Sequence, residues 1–154
     1  MKALESLFKK PGPKLALLGV GNPLRGDDGA GPELIRRLRN KTEAVLFDCE
    51  EVPENFLDEI AKTHPETVIV IDAVNLGTKP GAVAILEEDD FQSAGWSTHH
   101  ASLRPFIKYL KANTGSDVFV LGIQPKSTEL GGKISDEVRQ TLDILQRLIT
   151  KNSV

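Results

Sequence analysis

The chain has 154 residues, of which 40% are hydrophobic and 27% charged, and this length fits one globular domain with a substantial core. Its 19 Lys and Arg against 22 Asp and Glu give a formal charge of −3, which excludes the basic footprint of a nucleic-acid-binding protein and a polybasic membrane patch. No apolar run approaches the ~18 residues of a membrane span, and the single cysteine, Cys49, excludes an internal disulfide, so we expect a cytoplasmic protein.

The predicted elements begin after a short N-terminal segment. Residues 1–13 predict a short amphipathic turn or a frayed tail, and Glu5 within them interrupts any signal-peptide apolar run. Residues 15–20, LALLGV, predict a buried strand. A glycine-rich acidic loop follows, and then a helix whose first turn tolerates Pro32.

The middle of the chain predicts further strands and one helix. EAVLFD (43–48) predicts a strand, and ENFLDEIAKTH (54–64) predicts a helix. TVIVIDAV (67–74) is the most β-branched run and predicts the central strand, whereas AVAILE (82–87) predicts an edge strand.

The last third repeats the alternation. Residues 103–112 predict a helix, residues 117–123 a strand, and a final helix begins near Ser135, a predicted N-cap. Alternating strands and helices indicate a layered α/β domain with a mostly parallel sheet. We predict a single domain over residues 14–150, with an N-terminal extension (1–13) and a C-terminal tail (151–154).

Acidic side chains follow several of the predicted strands. In open α/β sheets, binding sites form beyond the carboxyl ends of the strands. Asp28 follows the first strand and Asp72 closes the third, and either His99 or His100 precedes the next helix. Two carboxylates and an imidazole are suitable ligands for a borderline metal such as zinc or nickel.

Each of these residues also has a purely structural interpretation. Asp28 could cap the helix that follows it, although two adjacent acids, Asp27 and Asp28, exceed what a cap requires. Asp72 stands among apolar neighbours, where a carboxylate needs a partner or a metal. A histidine in a loop is most often a surface residue, so His99 and His100 alone do not define a site.

The loop after the first strand superficially resembles a nucleotide-binding loop. The G-x-G-x-x-G fingerprint fails, because Leu24 occupies the position of the last glycine, and no G-x-x-x-x-G-K-[ST] motif is present. Asp27 and Asp28 would also repel a pyrophosphate at the helix N-terminus. A dinucleotide-binding function is therefore excluded.

Four segments of the chain form a specific set of motifs: GVGNPLRGDDGAGPELI (19–35), VIVIDAVNLGTKPG (68–81), STHHASL (97–103) and FVLGIQP (119–125). Taken together, they resemble the maturation endopeptidases of [NiFe]-hydrogenases, most closely the formate-hydrogenlyase-type members. The resemblance covers residues 14 to 150 and keeps the motifs in the order of the family.

The resemblance implies a three-layer, phosphorylase/hydrolase-like α/β fold, with a twisted, mostly parallel five-stranded sheet between helices. It implies an aspartic-type endopeptidase that removes a C-terminal extension from the hydrogenase large-subunit precursor after nickel insertion. The family's metal-contacting side chains correspond to Asp28, Asp72 and His99, and His99 is chosen over His100 because the family's histidine directly follows the threonine. On this resemblance we expect the substrate to supply the nickel and either Asp28 or Asp72 to act as the general base.

Asp27 and Cys49 are expected to have structural roles, and two other functions remain open. Asp27 is predicted to support the loop by hydrogen bonds or capping, and Cys49 is predicted to be a buried structural thiol. A non-catalytic chaperone that senses the metal of the large subunit would use the same ligands. So would a metallopeptidase with its own zinc and another substrate.

Overall fold

The computed structural model describes residues 2–9, 14–90 and 103–151. Its five-stranded sheet has the order β2-β1-β3-β5-β4, in which β4 alone runs antiparallel to its neighbour. The strands are β1 (Leu15–Val20), β2 (Val45–Glu50), β3 (Thr67–Ala73), β4 (Val83–Leu86) and β5 (Asp117–Ile123). The α-helices in the described residues are α1 (Lys2–Phe8), α2 (Ala30–Leu38), α3 (Leu57–Lys62), α4 (Leu103–Thr114) and α5 (Asp136–Lys151).

The three central strands are buried on both faces because helices cover both sides of the sheet. Alternate residues of each strand point to opposite faces. Leu17, Ile69 and Leu121 therefore lie in one core, which the buried residues of α1, α2 and α5 complete. Leu18 and Val70 lie in the other core, which α3 and α4 complete. The predicted α/β fold with a mostly parallel sheet between helices is confirmed.

The sequence located most elements to within two residues. The prediction for β5 is confirmed at both ends, as is the edge position of β4. The second strand runs over Val45–Glu50, two residues later in the chain than the predicted 43–48, because the buried Cys49 continues the strand beyond Asp48. The predicted helix over 54–64 is a 3-10 helix, Pro53–Phe56, followed by the short helix α3.

The N-terminal segment is more regular than the sequence indicated. In place of a turn or a frayed tail, α1 forms two helical turns, and its Leu4 and Phe8 are buried in the core that also contains α5. Burying two large apolar side chains provides the stabilisation that so short a helix lacks by itself. No helix among the described residues has the length and apolar character needed to cross a membrane.

Candidate active site

Asp28 lies in a 3-10 helix, Gly26–Gly29, that connects β1 to α2. Its side chain is almost fully buried, and its Oδ2 accepts a hydrogen bond of 2.9 Å from the backbone N–H of Asn22. Helix α2 has Gly29 as its N-cap, without a side-chain cap. Asp28 is therefore bonded across its own loop to Asn22, and helix capping does not account for it.

Two glycines allow this loop to pack closely against the sheet. Gly21 has a φ of +143°, and a Cβ at this position would come within 1.8 Å of the backbone oxygen of Asp28. A Cβ at Gly31 would come within 2.3 Å of the backbone oxygen of Ile71, the residue before Asp72. Only glycine permits both approaches. The glycines thus bring the loop of Asp28 and the N-terminal turn of α2 onto the ends of β1 and β3.

Asp72 is the penultimate residue of β3, where it pairs in register with Gly122 of β5. Its side chain is fully buried. Since β1 and β3 are adjacent and parallel, Asp28 and Asp72 both lie at the edge formed by the carboxyl ends of neighbouring strands. A buried carboxylate is costly unless other groups or a metal ion compensate its charge, and this edge contains two.

Asp27 occupies a different environment from Asp28 and joins two loops. Its Oδ1 accepts a hydrogen bond from the backbone N–H of Ser135 at 2.7 Å. Its Oδ2 accepts one from the backbone N–H of Lys126 and one from the Ser135 hydroxyl, both at 2.8 Å. Backbone bonds from Asp27 N–H to Ser127 and from Gly131 N–H to Leu24 add to this link. The predicted supporting role of Asp27 is confirmed, and its partner is the loop between β5 and α5.

Cys49 is fully buried in the core that contains α3 and α4. Burial raises the pKa of its thiol to about 12, and the negative charges of Asp48, Glu54 and Glu59 act in the same direction. A thiol nucleophile requires the thiolate form, which is negligible at neutral pH with such a pKa. The prediction of a structural thiol is confirmed.

A surface cleft of about 380 Å³ borders the loop that contains Asp27 and Asp28. Pro23, Gly29 and Pro32 line it near the acidic loop, and Glu33 and Arg36 line it along α2. Burial alone would raise the pKa of the Glu33 carboxyl, but hydrogen bonds from Arg36 and Arg37 and their positive charges outweigh this effect, so its pKa is lowered. The cleft is therefore bounded by fixed ion pairs as well as by the loop.

The third predicted ligand, His99, and its neighbour His100 lie outside the described residues. Within the described ranges, no group of three or more His, Cys, Asp or Glu side chains is arranged to hold a metal ion. The described part of the site thus consists of two buried carboxylates, Asp28 in the 3-10 helix that follows β1 and Asp72 in the adjacent strand β3.

Three features of this edge were not identified from the sequence. Asn22 donates its backbone N–H to Asp28 and accepts a bond from the N–H of Leu24 through its side chain, at 2.9 Å. Gln124 is buried at the end of β5 and bonds to Leu76 through its side chain. The loop of residues 126–135 binds Asp27. An asparagine after a strand signals a local turn, but the other two contacts are long-range and leave no pattern in the sequence.

Comparison of the sequence with known families identifies a match to the family described as hydrogenase maturation protease, over residues 30–152. The hydrogenase 3 maturation protease of Escherichia coli K12 is 33% identical over 136 residues. This alignment covers 86% of this chain and 86% of the relative.

Solved structures show the same similarity in three dimensions. The [NiFe] hydrogenase maturation protease HycI from Thermococcus kodakarensis KOD1 superposes with a TM-score of 0.87 at 31% sequence identity, covering 97% of both chains. The endopeptidase HycI from Escherichia coli, determined in solution, gives a TM-score of 0.77 at 31% identity, with 88% of each chain covered.

Proposed function

Because the chain belongs to the hydrogenase maturation protease family, we propose that it removes a C-terminal extension from the large-subunit precursor of a [NiFe]-hydrogenase after nickel insertion. The observation that carries this proposal is the pair of buried carboxylates, Asp28 and Asp72, at the carboxyl ends of the adjacent strands β1 and β3. A buried pair of acids at the edge where α/β proteins place their sites favours a catalytic role over a structural one.

In the proposed reaction, Asp28 or Asp72 acts as the general base. The carboxylate takes a proton from a water molecule as the water oxygen attacks the carbonyl carbon of the scissile peptide bond. The C–N bond then breaks, and the proton passes from the carboxyl group to the departing amine. Cys49 takes no part as a nucleophile, because its thiol is buried and its pKa is raised to about 12.

Asp28, Asp72 and His99 together are proposed to contact nickel that the substrate brings to the site. Carboxylate oxygen and imidazole nitrogen are suitable ligands for a borderline divalent metal. In this proposal the nickel belongs to the precursor, and engaging it fixes the register of the scissile bond against Asp28 and Asp72. The protein then cuts only a precursor into which nickel has been inserted.

A cleavage assay read by intact mass tests the proposal. The purified protein is incubated with its cognate precursor, once loaded with nickel and once without it. We expect one loss of mass from the C-terminus of the nickel-loaded precursor and no cleavage of the nickel-free one. Asp28→Asn and Asp72→Asn should abolish the loss, whereas Asp58→Asn, which changes an exposed aspartate on α3, should retain it.

A pair of adjacent variants tests the histidine assignment, and the same assay discriminates the alternative functions. His99→Gln should prevent cleavage and His100→Gln should not. A nickel-loaded precursor that binds the protein but keeps its full length would refute the protease and favour the chaperone. Cleavage that requires stoichiometric zinc in the purified protein, and that ignores nickel in the precursor, would favour a metallopeptidase with its own metal.

A further inference from the structure

Just beyond the ends of β3 and β5, the hydrogen-bond ladder between the two segments continues through a side chain instead of a direct backbone bond. The two parallel strands pair in register up to Ala73 and Ile123, and the N–H of Val74 still donates directly to the carbonyl of Ile123, at 3.0 Å. In a parallel ladder that continued with this spacing, the next N–H on this side, that of Leu76, would donate to the carbonyl of Pro125.

The side-chain amide of Gln124 stands between these two backbone groups. Its Oε1 accepts the hydrogen bond from the N–H of Leu76, at 2.6 Å, and its Nε2 donates to the carbonyl oxygen of Pro125, at 3.1 Å. The orientation of the amide follows from these partners, because a backbone N–H can only donate and a carbonyl can only accept. One amide group is thus inserted as a bridge into the ladder.

The backbone of Gln124 is held on the opposite side, by the segment that leads into β4. Its N–H donates to the carbonyl of Ala82 at 2.8 Å, and its carbonyl accepts from the N–H of Gly81 at 2.9 Å. The residue is 8% exposed. Gln124 therefore spans the gap between the β4 side of the sheet and the segment that leaves β3.

We propose that Gln124 is a positioning residue for the cleavage reaction. Its bridging amide holds the chain after Asp72 one amide group away from β5, and thereby shapes the edge at which the precursor polypeptide is placed against Asp72. The inference rests on the proposed function, since it assigns Gln124 a role in that reaction. Gln124 itself is two residues beyond Gly122, the register partner of Asp72. It therefore acts through the backbone of residues 74–76.

Ser116 provides a matched control because it joins the same two strand regions at the opposite end of the sheet. Its hydroxyl donates to the carbonyl oxygen of Pro65 at 2.6 Å, and the residue is 5% exposed. Ser116 immediately precedes β5, and Pro65 stands two residues before β3. Ser116→Ala removes a buried side-chain link between these segments far from Asp72, so it reports the effect of weakened strand pairing alone.

The test compares Gln124→Met, Ser116→Ala and the unmodified protein in the cleavage assay, at a temperature where all three are folded. Methionine keeps the length of the side chain, but it cannot donate to Pro125, and its thioether sulfur is only a weak acceptor for the N–H of Leu76. We expect kcat/KM for the nickel-loaded precursor to fall about tenfold or more in Gln124→Met, and to change less than about twofold in Ser116→Ala. The amide proton of Leu76 should also shift upfield in the NMR spectrum of Gln124→Met as it loses its short hydrogen bond.

A second variant covers the possibility that Gln124→Met does not fold. In Gln124→Glu, an ionised carboxylate accepts from Leu76 but has no proton for Pro125, whereas a protonated carboxyl restores both bonds. The ratio of its kcat/KM to that of the unmodified protein should therefore rise as pH falls.

Equal losses of kcat/KM in Gln124→Met and Ser116→Ala would reveal a merely structural role for Gln124.

The remaining outcomes separate the inference from the function on which it rests. Unmodified protein that cuts the precursor, together with Gln124→Met that cuts it equally well, would overturn the role of Gln124 alone. Unmodified protein that leaves the nickel-loaded precursor intact would overturn the proposed function and this role with it.

Discussion

Asp27 and Ser135 hold each other in place across 108 positions of the chain. The Ser135 hydroxyl donates to Asp27 and at the same time accepts a hydrogen bond from the N–H of Val138, at 3.3 Å, as the N-cap of α5. One serine thus caps a helix and anchors the loop that contains Asp28. Of the two adjacent acids, Asp27 secures the loop, whereas Asp28 is the candidate for chemistry.

A double-mutant cycle measures the energy of this link. Asp27→Asn should lower the free energy of unfolding by about 2 kcal/mol, because an amide N–H₂ replaces an oxygen that faces two donors. Ser135→Ala should cost about 1–2 kcal/mol through loss of the cap and the bond. Urea denaturation of the single and double variants should give a coupling energy of about 1 kcal/mol.

Ser127 offers a control within the same loop. Its hydroxyl accepts from the N–H of Glu129 at 3.3 Å and is exposed, while only its backbone carbonyl binds Asp27. Ser127→Ala should therefore change stability by less than about 0.5 kcal/mol and add independently to Asp27→Asn. If the stability losses of Asp27→Asn and Ser135→Ala also simply added in the double variant, the two side chains would not stabilise each other.

Gly21 determines whether Asp28 can occupy its position. Gly21→Ala combines an unfavourable φ with a methyl group that would meet the Asp28 backbone oxygen at 1.8 Å, so we expect a loss of about 4 kcal/mol. Gly115→Ala also places alanine at a positive φ, but at +69°, in the left-handed region, and with open space around the new methyl group, so it should cost about 1–2 kcal/mol. Thermal unfolding of both variants gives the comparison. Equal losses would mean that the loop moves freely to accommodate a side chain at position 21.

Cys49 should make the protein less stable at alkaline pH. Its thiol pKa is raised from 9.0 to about 12 in the folded protein, so above pH 9 the unfolded chain has lost a proton that the folded chain retains. The free energy of unfolding should therefore fall by about 2 kcal/mol between about pH 8 and about pH 10.5 from this residue alone. Urea denaturation of the unmodified protein and of Cys49→Ala across this range isolates the contribution. Parallel pH profiles for the two proteins would exclude a buried, protonated thiol.

The fold was predictable to the extent that its signals are local. The β-branched run of β3 and the alternation of strands and helices determine a parallel sheet with helices on both faces. Errors arose where tertiary burial overrides local pattern. Burial of Cys49 in the core extends β2 beyond Asp48, and burial of Leu4 and Phe8 stabilises α1.

The candidate site was predictable as a set of strand ends but not as a network. Asp28 and Asp72 follow apolar runs, so their placement at one edge of the sheet follows from parallel pairing. Asp27 bonds to Lys126 and Ser135, 99 and 108 positions away, and the side chain of Gln124 bonds to Leu76, 48 positions away. The sequence contains no signal for such pairings. The resemblance to the family separated Asp27 from Asp28, but the residues that Asp27 binds are visible only in the folded chain.

The ion pairs of Glu33 should make α2 sensitive to acid and salt. Glu33 accepts hydrogen bonds from Arg36 and Arg37, and Arg37 also pairs with Asp143 of α5 at 2.7 Å. Burial opposes the ionised form of Glu33, but the two arginines outweigh it and lower the pKa of the carboxyl below its ordinary value of 4.5. The stabilisation is therefore present above pH 4.5 and is lost as pH falls through the lowered pKa.

Comparison of Glu33→Gln with the unmodified protein measures the stabilisation that the ion pairs of Glu33 provide. Because Arg36 is largely exposed, solvent screening limits the expected difference in unfolding free energy to about 1 kcal/mol at about pH 7. The difference should shrink below pH 4.5 and also in about 1 M salt, where the Debye length is about 3 Å. Glu43→Gln, at an exposed position outside the helices, should show neither dependence. A difference between Glu33→Gln and the unmodified protein that persists unchanged at low pH would mean that packing of the Glu33 side chain, rather than its charge, stabilises α2.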